Sequence, residues 1–144
     1  MTIIDSIVAA KARGDLNGLI SAVPYAQFLG LECAATGGEL VTTMRYSDAL
    51  IGNPALPALH GGTLGALMES AAIFELLWGA ETVVIPKTIT LTVDYLRSGA
   101  PIDTHARGTV TRHGRRVANV RIEAWQGDRA VPIATANALF LVMR

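Results

Sequence analysis

Cysteine, charge and aromatic residues are all scarce in this 144-residue chain. The single cysteine, Cys33, excludes an internal disulfide and therefore the small secreted scaffolds that disulfides stabilise. Lysine and arginine number 12, as do aspartate and glutamate, so the formal net charge is zero and no basic run is present. Because nucleic-acid-binding proteins carry a basic patch, nucleic acid is not expected as a partner.

Long apolar runs are also missing. No stretch free of charge and glycine reaches the roughly 18 residues that a membrane-spanning helix needs. Residues 1–15 lack the basic start and unbroken apolar core of a signal peptide, so we expect a cytoplasmic protein without a membrane partner. Hydrophobic residues nevertheless make up 51% of the chain, at a length typical of one domain. We expect a single domain over residues 1–144 that packs tightly or buries surface against copies of itself.

Hydrophobic periodicity predicts a helix, two strands, a second helix and four further strands. Residues 2–21 have helical spacing interrupted at Gly14, and segment 28–46 is typical of two short strands around a Thr-Gly-Gly turn. Residues 48–59 are expected to form a loop. Residues 61–78 are expected to form a helix that is apolar, and therefore buried, on every side. Alternating polar and apolar residues then predict strands at 88–96, 102–112, 117–125 and 130–142.

Short turns between the later strands imply an antiparallel meander. A small domain can bury an apolar helix by wrapping a curved sheet around it. The predicted fold class is therefore α+β, with a curved antiparallel β-sheet around a central buried helix. The N-terminal segment 1–22 either packs on this domain or forms a lid over its site.

The second helix begins with His60-Gly61-Gly62. Two glycines let a ligand approach the backbone closely, and the first turn of a helix exposes unpaired N–H groups at its positive end. This helix start is therefore a candidate site for an anion or for negative charge that develops on a carbonyl oxygen. His60 is either a site residue or a residue whose ring fixes the loop by a hydrogen bond.

Glu69 is the only ionisable side chain between residues 61 and 73. Because burying an unpaired carboxylate is costly, Glu69 is either paired with an arginine across an interface or functional. At about 1.5 Å per residue it lies about 12 Å along the helix from Gly61, too far for both to contact one substrate carbonyl. If both residues are catalytic, Glu69 must come from a second copy of the helix, which predicts a dimer with two shared sites.

Three segments together resemble the PaaI-like branch of the hotdog-fold acyl-CoA thioesterases. They are Asn-Pro at 53–54, His-Gly-Gly at 60–62 and Glu-Ser-Ala-Ala at 69–72, and a further likeness extends to 93–97 and 114–117. The resemblance implies a hotdog fold and a homodimer that often pairs into a homotetramer. It also implies hydrolysis of acyl-CoA without metal or cofactor, since coenzyme A is part of the substrate.

The same resemblance implies roles for individual residues. The Gly61 N–H would polarise the thioester carbonyl, and Glu69 would act as nucleophile or as general base toward water. Asn53 and His60 would position the carbonyl, the water or the loop, although Asn-Pro is also a common turn pair. Much of the PaaI-like branch has aspartate at position 69. Glutamate there resembles the related aryl-CoA thioesterases, so acyl and aryl substrates both stay open.

Arginines are candidates for binding the phosphates of CoA, because guanidinium groups form hydrogen bonds with phosphate oxygens. The candidates are Arg97, Arg107, Arg112, Arg115 and Arg116. The pair Arg115–Arg116 is favoured because it flanks a predicted hairpin turn. Substrate binding is predicted for Gly62, Arg97, Arg115 and Arg116.

The sequence supports other functions less well than the thioesterase. A hotdog-fold hydroxyacyl-thioester dehydratase also pairs a histidine with an acid across a dimer, but the eight-residue spacing from Gly61 to Glu69 on one helix favours the thioesterase. A non-catalytic acyl-CoA-binding protein is disfavoured by the intact Glu69. A thiol nucleophile at Cys33 has no local motif to support it, because a lone cysteine among apolar residues is usually buried.

Overall fold

The computed structural model of the chain describes residues 2–80 and 84–143, so the predicted domain 1–144 extends beyond the described residues. In chain order its elements are α1 (Ile3–Arg13), α2 (Leu16–Ser21), α3 (Pro24–Phe28), β1 (Leu31–Thr36), β2 (Glu39–Met44), β3 (Ile51–Asn53), β4 (Ala58–Leu59), α4 (Gly61–Gly79), β5 (Lys87–Tyr95), β6 (Thr104–His113), β7 (Val117–Trp125) and β8 (Ala134–Leu141). A short 3₁₀ turn, Asp48–Leu50, precedes β3. No helix in the described part of the chain is long and apolar enough to cross a membrane.

The N-terminal segment folds into separate short helices. Thr2 caps α1, because its hydroxyl accepts from the Asp5 N–H while the Asp5 carboxylate accepts from the Thr2 N–H. The predicted interruption at Gly14 is confirmed, since that residue ends α1. The assignment of Phe28 to a strand is wrong. Pro24 at the first turn of α3 favours a helical start, and Phe28 is its last residue.

Six strands form one antiparallel sheet in the order β1-β2-β6-β7-β8-β5. The predicted meander holds for β6, β7 and β8 but is wrong for β5, which pairs with β8 instead of β6. Residues 96–103 pass in front of the start of α4, where the Gly99 carbonyl accepts from the Leu59 N–H at 3.0 Å. The chain therefore re-enters the sheet beside β2 and leaves β5 at the far edge.

The sheet covers one side of α4, which packs mainly against β6 and also against β2 and β7. Leu67, Met68 and Ala72 on this side are fully buried. Gly108 of β6 allows a close approach, because a Cβ there would lie 3.2 Å from the Ala72 Cα. This α+β arrangement of an antiparallel sheet around a long helix confirms the hotdog fold predicted from the sequence.

The prediction that α4 is buried on every side is wrong. Ala66, Glu69, Ser70 and Ile73 are only partly buried. Their spacing of three and four residues places them on one stripe of the helix. We call these four residues the open stripe. It is open because the six strands of one chain cover only part of the helix circumference.

The two edges of the sheet differ. At the β1 edge, Asn17 of α2 accepts from the Cys33 N–H at 3.2 Å, so a helix covers the strand. At the β5 edge, no further strand of the described residues pairs with the outer side. Ile89 on this strand is half-exposed. One edge is therefore covered and the other is bare.

The segment 48–59, predicted to be a loop, contains a small hairpin. β3 and β4 pair with Ile51 opposite Leu59 and Asn53 opposite Ala58. This hairpin leads directly into α4.

Candidate active site

The backbone at the start of α4 is held in place from outside the helix. The His60 N–H donates to the Leu50 carbonyl at 2.8 Å. The His60 carbonyl accepts from both the N–H and the hydroxyl of Thr63, at 2.9 and 2.6 Å. His60 is thus the N-cap residue that joins the β3–β4 hairpin to the helix.

The His60 ring folds back over the first turn. Its Nδ1 accepts from the Gly62 N–H at 2.9 Å, so in a neutral imidazole the ring proton is on Nε2. A Cβ on residue 62 would lie 2.9 Å from Nδ1, which explains the glycine at that position. Of the two roles left open by the sequence, the structure contains the hydrogen bond that fixes the loop. A role of His60 toward substrate stays a prediction.

The Gly61 N–H is the unused donor of this turn. The N–H groups of Gly62 and Thr63 have acceptors, whereas no group of the described residues accepts from Gly61. It lies at the positive end of a 19-residue helix. A hydrogen-bond acceptor such as a carbonyl oxygen can therefore take this donor without displacing a protein group.

Tyr95, which sequence reasoning did not single out as a site residue, contacts the same turn. Its hydroxyl donates to the Gly61 carbonyl at 2.8 Å, and its ring lies 3.3 Å from the position of a Cβ on residue 61. Alternation along β5 puts Tyr95 on the face of Leu91 and Val93, which is the only signal that the sequence offers for this contact.

An open groove of about 450 Å³ runs past Gly61. It is lined by Ala58, Leu59, Gly61, Leu64, Tyr95, Leu96, Arg97, Ser98 and Gly99. Its apolar wall comes from the leucines, and Arg97 supplies the positive charge. The Arg97 guanidinium donates to the Pro132 carbonyl, which holds it at this side of the sheet.

Glu69 lies on the open stripe of α4, two turns from the groove. Because α4 is continuous from Gly61 to Gly79, the separation of about 12 Å between Gly61 and Glu69 applies within one chain. No ion pair of the described residues includes Glu69. A paired structural role for Glu69 within one chain therefore has no support.

The remaining predicted residues are spread along the molecule. Asn53 lies in the hairpin before His60, and its side chain accepts from the Ala55 N–H at 3.0 Å, as in a turn. Arg115 and Arg116 are exposed between β6 and β7. That hairpin lies at the C-terminal end of α4, because the adjacent His113 lines a pocket with Glu75 and other residues of that helix end. One chain therefore places Gly61 and Arg97 on the same groove, with His60 and Gly62 in the turn that contains Gly61. Asn53, Glu69 and the arginine pair are not among the residues that line this groove.

Two other titratable groups lie inside the fold, away from this helix start. Burial raises the pKa of the Cys33 thiol to about 11, although the Thr42 hydroxyl at 3.1 Å has the opposite effect. A thiol with such a pKa is protonated at neutral pH, so it is not a ready nucleophile. Burial also raises the pKa of Glu75, against the lowering effect of Arg107. In the described residues, no group of three His, Cys, Asp or Glu side chains could hold a metal ion.

Comparison with known proteins identifies the family and the fold of this chain. A family model described as the acyl-CoA thioesterase N-terminal domain matches residues 53–141, from Asn53 through β8. The medium/long-chain acyl-CoA thioesterase YigI of Salmonella typhimurium is 32% identical over 93% of this chain and 94% of its own. Its counterpart from Escherichia coli K12 is 28% identical over the same shares.

Solved structures show the same fold. A Chromobacterium violaceum protein is 37% identical, with a TM-score of 0.79 over 96% of this chain and 97% of its own. A phenylacetic acid degradation-related protein from Ralstonia eutropha is 27% identical, with a TM-score of 0.78 over 92% and 98%. The family match contains the helix start, Glu69 and strands β5 to β8. With its fold and its sequence in agreement, this chain belongs to the acyl-CoA thioesterase family.

Proposed function

We propose that the protein hydrolyses an acyl-CoA thioester to a free acid and CoA. The observation that carries this proposal is the Gly61 N–H at the positive end of α4, a backbone donor for which the described residues provide no acceptor. A donor that is already oriented stabilises negative charge on a thioester oxygen more effectively than one that must first reorganise. The groove beside it gives a substrate access from solvent.

The acid in this site is Glu69 of a second subunit. Within one chain Glu69 is too far from Gly61, yet it is partly exposed on the open stripe and has no ion-pair partner in the described residues. Two chains related by a twofold axis can place their α4 helices side by side and antiparallel. Each Glu69 then faces the Gly61 of the other chain, and the open stripe is buried.

The bare edge of β5 supports the same dimer. Strand pairing along this edge would extend the sheet across both subunits and satisfy its free backbone groups. It would also bring the arginine pair of one subunit toward the helix start of the other, since Arg115 and Arg116 lie at the opposite end of α4. CoA phosphates would then be bound by Arg97 of one subunit and by this pair from its neighbour. Two such dimers would form the homotetramer found in the PaaI-like branch.

The reaction has two possible routes from this geometry. As general base, Glu69 takes a proton from water while the water oxygen bonds to the carbonyl carbon; the C–S bond breaks, and the CoA thiolate leaves with that proton. As nucleophile, a carboxylate oxygen bonds to the carbonyl carbon, the C–S bond breaks and CoA leaves as a thiolate. Water then cleaves the anhydride to the free acid and the Glu69 carboxylate, and the proton released goes to the thiolate. Repeated turnover in H₂¹⁸O labels the Glu69 side chain in the second route if water attacks the Glu69 carbonyl carbon of the anhydride, and never in the first route. Asn53 and His60 orient the reacting carbonyl or the water in either route.

The substrate class is a medium- or long-chain acyl-CoA. Relatives that match over almost the whole chain are medium/long-chain acyl-CoA thioesterases, and the groove has the leucine side chains Leu59, Leu64 and Leu96 along it. A panel of short, medium, long and aryl-CoA esters, followed by thiol release, tests this assignment. We expect turnover to be highest for the medium and long chains.

The same panel of substrates distinguishes a thioesterase from a dehydratase and from a binding protein. Hydration of an enoyl-CoA without thiol release would indicate a dehydratase, and binding of acyl-CoA without any release would indicate a binding protein. Either result would overturn the thioesterase. Light scattering after size exclusion measures the oligomer, and an active monomer would overturn the shared site.

A further inference from the structure

The peptide between Gly61 and Gly62 is held at both of its polar ends. Its carbonyl, from Gly61, accepts from the Tyr95 hydroxyl at 2.8 Å. Its N–H, from Gly62, donates to His60 Nδ1 at 2.9 Å. Two side chains, one from β5 and one from the residue before α4, therefore fix a single peptide plane.

This restraint lies where the backbone is otherwise least constrained. Glycine has the widest choice of backbone angles, and two consecutive glycines begin α4. The Tyr95 ring also closes on Gly61, because its Cε1 and Cζ atoms lie 3.3 Å from the position of a Cβ on that residue. Any side chain at position 61 would push the ring away, so the glycine and the tyrosine fit each other.

We propose that Tyr95 is a positioning residue for the Gly61 N–H, a role that rests on the proposed thioesterase function. By fixing the peptide on one side of Gly61, Tyr95 limits rotation of the residue that carries the unused donor. The hydroxyl proton of Tyr95 is already donated to the Gly61 carbonyl, so Tyr95 acts through Gly61 rather than as a second donor to substrate. The recognised group is the carbonyl oxygen of a thioester.

The first test removes only the hydroxyl. Tyr95→Phe keeps the ring against Gly61 but removes the hydrogen bond to the Gly61 carbonyl. Because this bond is proposed to orient the Gly61 N–H, its loss should lower kcat about fivefold and change KM less than about twofold. Tyr25→Phe is the matched control, because Tyr25 lies exposed on α3 against Phe28 and away from α4. It should keep the parent kcat. If the parent protein is active and Tyr95→Phe has the same kcat as the parent, the positioning role is overturned. The proposed function would not be affected by that result.

A double-mutant cycle separates positioning from a general loss of stability. Tyr95 and His60 restrain the same peptide, so their effects on kcat should not multiply. We expect Tyr95→Phe to lower kcat less than about twofold when it is made in a His60→Ala background. Effects that multiply fully would show that Tyr95 acts independently of this peptide and would overturn the proposal.

A spectroscopic measurement does not depend on turnover. Loss of the hydroxyl should shift the carbonyl carbon resonance of Gly61 upfield in Tyr95→Phe and leave it in place in Tyr25→Phe. An unchanged resonance in Tyr95→Phe would show that the hydrogen bond is absent and would overturn the positioning role. If the parent instead releases no thiol from any panel member while the resonance shifts, the hydrogen bond exists and the proposed function has failed.

Discussion

Gly61 and Glu69 lie on one uninterrupted helix, eight residues apart, and face different surroundings. Gly61 borders the groove beside Tyr95, whereas Glu69 lies on the open stripe that the sheet does not cover. A chemical role for both at one carbonyl therefore depends on two chains.

Replacing Glu69 by Gln should lower thioesterase kcat at least about 100-fold, because the amide can neither accept a proton from water nor attack the carbonyl. Thiol release with a medium-chain acyl-CoA measures the effect, and circular dichroism checks the fold. Glu75→Gln is the matched control on the same helix and should keep most of the parent kcat. Near-parent turnover in Glu69→Gln would contradict the assignment.

Two inactive variants should restore activity when they are mixed. Gly61→Val is expected to be inactive, because a side chain there meets the Tyr95 ring. In a heterodimer with Glu69→Gln, one site combines the intact Gly61 of one chain with the intact Glu69 of the other. Random pairing of equal amounts after unfolding and refolding should give about a quarter of the parent activity. Activity no higher than that of the separate variants would argue for a site within one chain.

Replacing both Arg115 and Arg116 by Ala should raise KM about threefold to tenfold and leave kcat nearly unchanged, since they are proposed to bind phosphates far from the reacting carbon. The dependence of KM on salt should also weaken, because fewer ion pairs are then screened. Arg121→Ala is a suitable control, since Arg121 is exposed on the sheet face away from α4. An equal rise in KM for the control would indicate a nonspecific charge effect.

Glu75→Gln should stabilise the protein at neutral pH. Burial raises the pKa of Glu75, and the nearby Glu39 adds to this while Arg107 opposes it. The folded state therefore favours the protonated carboxyl and loses stability as pH rises through the folded pKa. Thermal unfolding between pH 4 and 8 should show a higher Tm for the variant than for the parent at pH 8. This difference in Tm should shrink as the pH falls. A gain that is the same at every pH would contradict this explanation.

Asp103→Asn should show the opposite dependence in the same experiment. The Tyr46 N–H and the Arg45 guanidinium hold the pKa of Asp103 below its usual range. The ionised carboxylate therefore stabilises the folded state, and this contribution is lost as pH falls through the folded pKa. The variant should be less stable than the parent at neutral pH and approach it in acid.

Gly108→Ala should destabilise the fold by about 1–3 kcal/mol through overpacking. The added Cβ would lie 3.1 Å from Val120 Cγ1 and 3.2 Å from the Ala72 Cα, and the helix backbone cannot easily move away. Gly127→Ala is the control, because nothing lies within 4 Å of a Cβ there. Chemical denaturation measures the free energy of unfolding of both variants. Equal stability of the two variants would show that α4 and β6 are less closely packed than the structure indicates.

Local patterns in the sequence predicted much of the fold. α4 and β7 were placed within one residue of their bounds, because helical and alternating spacings are properties of consecutive residues. The open stripe was missed because a helix that is apolar on every side does not reveal which side lacks a covering sheet. Contacts between distant segments were also missed. The pairing of β5 with β8 and the contact between Tyr95 and Gly61, 34 residues apart, depend on how the chain returns across the helix start.

The bare edge of β5 also affects how readily the protein aggregates. An unpaired edge strand is a template for any other strand, including those of unrelated or unfolded chains. The hydrogen bond from Cys33 to Asn17 covers the opposite edge of the sheet, at β1. Newly made chains would therefore be most prone to aggregate before the proposed dimer forms. Dimer formation would then act as a safeguard against aggregation, and variants that weaken it should lose soluble yield before they lose thermal stability.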